Sequence, residues 1–309
     1  MNSAIHASEQ PGAVLLSGAS GMLGSSLRQA LMEQGVPVRQ LVRGTARAAG
    51  QIAWNPAVMP AVHDTAELVG CAAAIHLSGA SVAGRRWTES YRGEMTVSRV
   101  DTTRALAETM AGLQRKPRVL VVASAVGIYG DRGDELLDES SQPGTGFLAD
   151  LCRAWEAAAA PAVDAGIRVV HARLGVVLGR GGALEKMLPA FRLGLGGPLG
   201  NGRQWMSWVS LEDAIAALLF AVKTTTLTGA MNVTSPEPVT NAAFTRALGR
   251  VLHRPAMLPV PAVALQLLFG EMADETLLAS QRAVPSLLLG AGFRFAHATV
   301  DEALRAAVR

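Results

Sequence analysis

The sequence predicts an α/β protein: a Rossmann-type, doubly wound parallel sheet with a smaller C-terminal α+β lobe. Three observations carry that prediction. Short apolar runs alternate with helix-length amphipathic segments across residues 12–178. The first run leads into the glycine turn Gly18-Ala19-Ser20-Gly21-Met22-Leu23-Gly24, and a helical pattern follows it. The alternation then fades, and residues 179–309 read as glycine-rich loop and shorter helices, with 256–304 forming a distinct last segment.

In chain order, Ala13–Ser17 is a short apolar run ending at glycine, which predicts a buried strand. A helix is expected over 25–34, stopped by Gly35, and a second strand over 36–42. Residues 72–77 give another strand, halted by Ser78-Gly79. Helical periodicity runs over 89–111, and 118–123 is a strongly apolar strand. A helix is expected over 146–165 and a strand over 167–174. Beyond it the pattern gives helices at 183–193, 211–222 and 240–252, the last opened by Thr240. A strand is expected at 230–233, extended chain at 255–261, and helices at 263–269, 274–280 and 299–309. No repeat or low-complexity linker separates the halves, so the second lobe should pack on the first.

Composition narrows the function classes. The net charge is +3 and the arginines are scattered along the chain, so no basic stripe points to nucleic acid. The two cysteines, Cys71 and Cys152, have no metal-ligand spacing, and neither a disulfide framework nor a metal site is expected. No apolar run has membrane-spanning length and the N-terminus lacks an apolar signal core, so a cytoplasmic protein without a membrane partner is expected. A small-molecule partner is expected, and the greasy final segment from Pro255 should be buried against the lobe, against a second subunit in a homodimer, or against a substrate, which the sequence leaves open.

The glycine turn carries the chemistry. A dinucleotide pyrophosphate needs free backbone N–H groups at a helix N-terminus and room for close approach. Gly18 allows the tight turn, Gly21 removes the side chain that would block the phosphates, and Gly24 lets helix and sheet approach. The second strand ends at Arg43, where an NAD site offers an acidic residue to the ribose 2′-hydroxyl. A guanidinium there suits a 2′-phosphate, so NADP is the expected cofactor. A plain surface arginine is the alternative.

Together with Leu77-Ser78-Gly79 and Ser124-Ala125-Val126-Gly127-Ile128-Tyr129-Gly130, this turn resembles the extended short-chain dehydrogenase/reductase superfamily. Residues 84–88, 146–149, 155–156, 202–208 and 270–272 narrow the resemblance to epimerase-like oxidoreductases with a C-terminal domain of unknown function. The resemblance implies that Gly18, Ala19, Ser20, Gly21, Met22, Leu23, Gly24 and Arg43 line the cofactor. It places Leu77, Ser78 and Gly79 beside ribose and nicotinamide, Ala123 and Ser124 under the nicotinamide, and Arg173 across the crevice.

The superfamily moves its proton with a Tyr-x-x-x-Lys pair and a helping hydroxyl. The only tyrosines here are Tyr91 and Tyr129, and Met95 and Gly133 stand four residues beyond them. The pair is therefore absent, and Leu148 and Cys152 fall where it belongs. Ser124 and Tyr129 are the remaining catalytic candidates; Ser124 could equally be a strand-end serine bonded to backbone, and a tyrosine placed like Tyr129 more often packs in the turn. On the substrate side, Arg86, Trp87, Gln204 and Trp208 are expected to border a pocket, although Trp208 could instead anchor the lobe. His76 and His171 lie in apolar strands and are expected to be packed. The reading is thus an NADP-dependent oxidoreductase of an unknown small molecule. A catalytically silent or redox-sensing NADP-binding protein and a nucleotide-sugar epimerase are the alternatives.

Overall fold

Leu15 and Leu16 are adjacent in sequence but feed opposite faces of one sheet, and both are buried. That alternation, repeated by Val119 and Val121 against Leu120 and Val122, builds a layer covered on both sides. The computed structural model describes residues 12–308. Its main sheet takes strands β1 (Ala13–Ser17), β2 (Val38–Arg43), β3 (Gln51–Trp54), β4 (Cys71–His76) and β5 (Val119–Ala125) from the first half. A two-residue strand β6 (Leu136–Leu137) lies outside it, and β7 (Arg168–Leu174) returns to it. The small strands β8 (Val176–Leu178), β9 (Trp205–Met206) and β10 (Trp208–Ser210) follow, then β11 (Gly229–Val233), β12 (Val239–Thr240) and β13 (Arg282–Ala283).

The order across the main sheet is β3-β2-β1-β4-β5-β7-β11, and every pairing is parallel. Chain direction along the sheet reverses beside β1, which opens a crevice at the strand C-termini between β1 and β4. β11 comes from the part of the chain expected to form the second lobe, so the two lobes share one sheet.

Helix α1 (Met22–Glu33) lies on one face with α7 (Leu211–Lys223). The other face carries α2 (Glu89–Thr96), which continues through a π-helical turn at Val97–Asp101 into α3 (Thr102–Ala111). It also carries α4 (Phe147–Ala157) and α5 (Ala160–Asp164). The sequence predicted one helix over 146–165. Pro161, in the first turn of α5, has no N–H to continue the ladder from α4, and the helix breaks there.

A third core joins α6 (Ala183–Arg192), α8 (Asn241–Leu252) and α11 (Val300–Val308) around Trp208. Thr240 caps α8 through the Ala243 N–H, as expected. Asp213 does more than start α7. Its carboxylate also accepts the Ala296 and His297 amides at 2.7 and 3.1 Å, tying the C-terminal segment to that helix. Helices α9 (Ala262–Phe269) and α10 (Ser286–Gly290) complete the chain. The turn expected as a helix at 274–280 is a short π-helical segment, Ala273–Leu277, and the small strands and β3 were not anticipated. Two-residue strands leave no periodicity to read.

Candidate functional site

The crevice begins at the turn between β1 and α1. Gly18 has φ of +69°, and a Cβ on it would stand 2.7 Å from the Leu77 carbonyl carbon. A Cβ on Gly24 would collide with the Gly18 carbonyl. These two glycines are required by the packing of β1, α1 and the end of β4. Gly21 differs. Its backbone is extended, with φ of −75°, and the nearest atom to a Cβ there is the Gly18 oxygen at 3.5 Å. Packing does not require glycine at 21, so the open space faces outward from the helix end.

Gly21 is also the N-cap of α1, and no side chain caps that end. The first-turn N–H groups are orphans, and the first turn carries no acid. The set fits a bound anion such as a pyrophosphate. Ser20 is exposed beside it, and Met22 and Leu23 are partly buried. Arg43 closes β2 and is exposed, as is Arg47. Across the crevice, Leu77 and Ser78 are partly buried and Gly79 is exposed, where a Cβ would lie 3.1 Å from the Arg99 guanidinium carbon. The sequence-predicted cofactor residues from Gly18 to Gly79 therefore gather around one crevice.

Beneath its floor, Ser17 and His76 occupy partner positions on β1 and β4. Ser17 Oγ lies 2.6 Å from His76 Nδ1, and Thr102 Oγ1 lies 3.1 Å from Nε2. Thr102 donates to the Ser98 carbonyl, so the network assigns the ring N–H to Nε2 and makes Nδ1 the acceptor. His76 is fully buried, and burial pushes its pKa down to about 4. It is packed and neutral, as the apolar strand implied.

The far end of the crevice is built differently. Ser124, Arg173 and Asn232 are register partners across β5, β7 and β11. Helix α4 lays Glu156 over them. Ser124 Oγ donates to Glu156 Oε1 at 2.7 Å. Arg173 grips the same carboxylate with Nε and Nη2, at 2.8 and 2.9 Å. Its Nη1 donates to Tyr129 Oη at 3.0 Å. Tyr129 shares its single proton between the Asp138 carbonyl and Asn232 Oδ1, at 2.9 and 2.8 Å, and is completely buried.

Burial raises the Tyr129 pKa, against the lowering effect of Arg173. Burial also works against the charge on Arg173, but the hydrogen bonds and charge of Glu156 outweigh it and hold the guanidinium above its ordinary pKa. Arg173 faces this network rather than a cofactor. Ser124 and Tyr129 both have their hydroxyl protons engaged inside the fold, which corrects the expectation that they would face a substrate.

The positions where the proton-transfer pair belongs are apolar or inert. Leu148 packs against the turn at Gly127. Cys152 is buried and unpaired, and burial, reinforced by the Glu156 charge, pushes its thiol up to about 12. The N-terminus of α4 is closed by Glu275, which accepts the Phe147 and Leu148 amides at 2.8 and 2.7 Å.

The expected substrate-pocket residues divide. Arg86 is exposed in the loop after β4, beside Gly270, whereas Trp87 of the same loop is buried in the core, packs edge-on against Phe147 at 5.3 Å and donates to the Val82 carbonyl at 2.9 Å, so it packs rather than lining a pocket. Trp208 is fully buried in the third core and donates to the Glu237 carbonyl at 2.9 Å. It anchors the lobe. Gln204 is 7% exposed and its amide bridges the Leu199 and Leu277 carbonyls at 3.2 and 2.9 Å, so it too is structural. Among the described residues no group of three or more His, Cys, Asp or Glu side chains could hold a metal ion.

Residues 14–234 match the model of the NAD dependent epimerase/dehydratase family, and 260–307 match a domain of unknown function, DUF1731. The chain belongs to the NAD dependent epimerase/dehydratase family. An epimerase family protein of Mycobacterium leprae is 44% identical over 292 residues, covering 94% of each chain. The human epimerase family protein SDR39U1, crystallised with NADPH, superposes with a TM-score of 0.88 at 33% identity, covering 96% of this chain and 98% of that one. A nucleoside-diphosphate sugar epimerase from Corynebacterium glutamicum gives 0.78 at 33% identity, with 96% of this chain and 58% of that one covered. A UDP-glucose 4-epimerase of Thermus thermophilus, at 20% identity and a TM-score of 0.74, shares the fold. The expected resemblance and the Rossmann-type architecture are both borne out. No helix among the described residues is long and apolar enough to cross a membrane.

Sequence reasoning missed Glu156, Asn232 and Glu275 as polar partners. Glu156 carried a signal: it stands four residues after Cys152 on a helix whose inward positions are otherwise apolar. Asn232 and Glu275 act through pairings that only the folded chain creates.

Proposed function

We propose that this family member binds NADP and catalyses hydride transfer to or from a small molecule, without the superfamily's tyrosine–lysine pair. The observation that carries the reading is the end of α1: orphan N–H groups, no capping side chain, and open space at Gly21, with Arg43 at the tip of β2. The NADPH held by the human relative supports NADP over NAD. When bound, the cofactor supplies the hydride chemistry.

The protein's own residues do the rest. The α1 amides hold the pyrophosphate, Arg43 pairs with the 2′-phosphate, and the buried Ser124–Glu156–Arg173–Tyr129 network fixes the crevice floor. General acid–base help is worth roughly a hundred- to ten-thousand-fold, so its loss slows turnover without forbidding it. A substrate that needs little proton help suits this site.

The test is equilibrium binding of NADPH and NADH to the purified chain, with Arg43→Ala beside it. NADPH should bind at least about tenfold more tightly, and Arg43→Ala should erase the difference, as loss of a charge-assisted contact predicts. Equal affinities in the parent chain, or an unchanged preference in the variant, would sink the NADP assignment. A second reading, binding without turnover, is favoured by the internal engagement of the Ser124 and Tyr129 hydroxyls. A screen of carbonyl compounds separates the two: sustained NADPH oxidation supports the oxidoreductase, and binding with no oxidation supports the silent protein.

A further inference from the structure

We propose that the face formed by α9 and the two loops beneath it docks on an anionic lipid bilayer. Helix α9 is apolar at seven of its eight positions, Gln266 being the exception, yet Leu265 is its only fully buried residue. Leu267 and Leu268 are 73% and 65% exposed. Two further segments extend the surface. Residues 193–200 and 255–262 are zipped together by Leu258 N to the Gly196 carbonyl, Val260 N to the Pro198 carbonyl, and Gly200 N to the Val260 carbonyl. They present Leu193, Leu195, Met257 and Leu258, with Met257 81% exposed. This one region holds eight of the sixteen large hydrophobic side chains that stand exposed among the described residues.

Charge decides what such a surface meets. Residues 186–211 and 238–270 carry five arginines and one lysine and no Asp or Glu, and the exposed acid against α9 is Asp274, which accepts from Gln266 at 2.7 Å. Arg192, Arg246 and Arg254 are exposed, and Arg254 bonds back to the Arg192 carbonyl, so these cations flank the apolar residues. Arg250 is partly neutralised by Asp301. A second copy of the chain docked face to face about a two-fold axis would present the same cation-rich surface and so offer little anionic complement. A bilayer with anionic headgroups offers the complement: acyl chains for the leucines and phosphates for the arginines. Arg246, Arg250 and Arg254 recur every four residues along α8 and just past it, and the fold adds Arg192 to them through the bond from Arg254 to the Arg192 carbonyl.

The surface also adjoins the crevice. Gly270, directly after α9, packs beside Arg86, and Glu271 pairs with Arg92. Docking would set the loop after β4 close to the headgroups.

The full chain should be mixed with vesicles of phosphatidylcholine alone and of phosphatidylcholine with about 30 mol% phosphatidylglycerol, and sedimented. The anionic vesicles should retain at least about tenfold more protein, and raised salt should release it. Leu267→Ser with Leu268→Ser should lower retention about tenfold, and Arg192→Gln with Arg246→Gln should remove the anionic preference. These side chains are exposed, so melting temperature and NADPH affinity serve as checks that the variants remain folded. Equal retention on both vesicles, retention on neither, or unchanged retention in the leucine variant would overturn the proposal. So would a dimer that the leucine variant dissolves while vesicles stay bare, which would assign the face to a second copy.

Discussion

The two ends of the crevice differ in what they leave unpaired. At the β1–α1 end, backbone N–H groups are free and a glycine faces open space. At the β5–β7 end, the hydroxyls of Ser124 and Tyr129, the Glu156 carboxylate and the Arg173 guanidinium are satisfied by one another and by neighbouring backbone. An unsatisfied group is available to a ligand, whereas a satisfied one must break a bond before it can serve chemistry. The first end is therefore built to bind, and the second to hold the sheet together. The difference also separates the chain from a superfamily member whose proton-transfer residues face the crevice.

The sharpest way to break that contrast is to remove the carboxylate at the satisfied end. Glu156→Ala should cost about 3–5 kcal/mol of unfolding free energy, because it strands a buried arginine. Urea denaturation reads this directly. Glu156→Gln, which keeps one acceptor for Arg173, should cost less. A loss below about 1 kcal/mol in the alanine variant would mean that the cluster is solvated and free to act on substrate.

A smaller effect is expected beneath the cradle. His76 has a folded pKa of about 4 against about 6.5 unfolded, so the unfolded chain binds the extra proton. Stability from this group is complete above about pH 6.5 and is lost as pH falls towards 4, by about 3 kcal/mol. Unfolding free energies measured between those limits should slope accordingly, and His76→Asn should flatten the slope whatever it does to the absolute value. An equal slope in the variant would place the acid sensitivity elsewhere, with Ser17 and Thr102 then not enclosing a neutral ring.

These two tests concern residues of unequal legibility. His76 lay in a continuous apolar run bounded by Ser78-Gly79, and that was enough to predict that it is packed. The glycine turn was legible because one helix end must meet steric and electrostatic demands within seven consecutive residues. The Glu156 cluster was not, because its members come from two strands, one helix and a turn, and only register brings Ser124 beside Arg173. Trp208 and Gln204 misled for a related reason. Tryptophan and glutamine suit a pocket wall or an anchor equally well by composition, and the choice rests on whether Trp208 Nε1 finds the Glu237 carbonyl. Pro161 carries the signal for the break between α4 and α5 that the single helix expected over 146–165 overlooked, whereas the strands of two or three residues had no pattern long enough to register.

The binding end permits the most specific test, since one position there separates ligand contact from packing. Gly18 and Gly24 cannot serve, because a Cβ on either meets backbone and would damage the fold together with the site. Gly21 has ordinary extended backbone and 3.5 Å to its nearest neighbour, so Gly21→Val should cost only the N-cap preference for glycine, about 1 kcal/mol. A branched side chain there occupies the space a pyrophosphate needs, and NADPH affinity should fall about a hundredfold, which corresponds to about 2.7 kcal/mol. Titration calorimetry and a thermal melt on the same sample separate the outcomes. Lost affinity with a melt lowered by no more than that cap loss locates the cofactor at the free end of α1. Retained affinity would move the anion site away from Gly21 and remove the contrast between the two ends of the crevice.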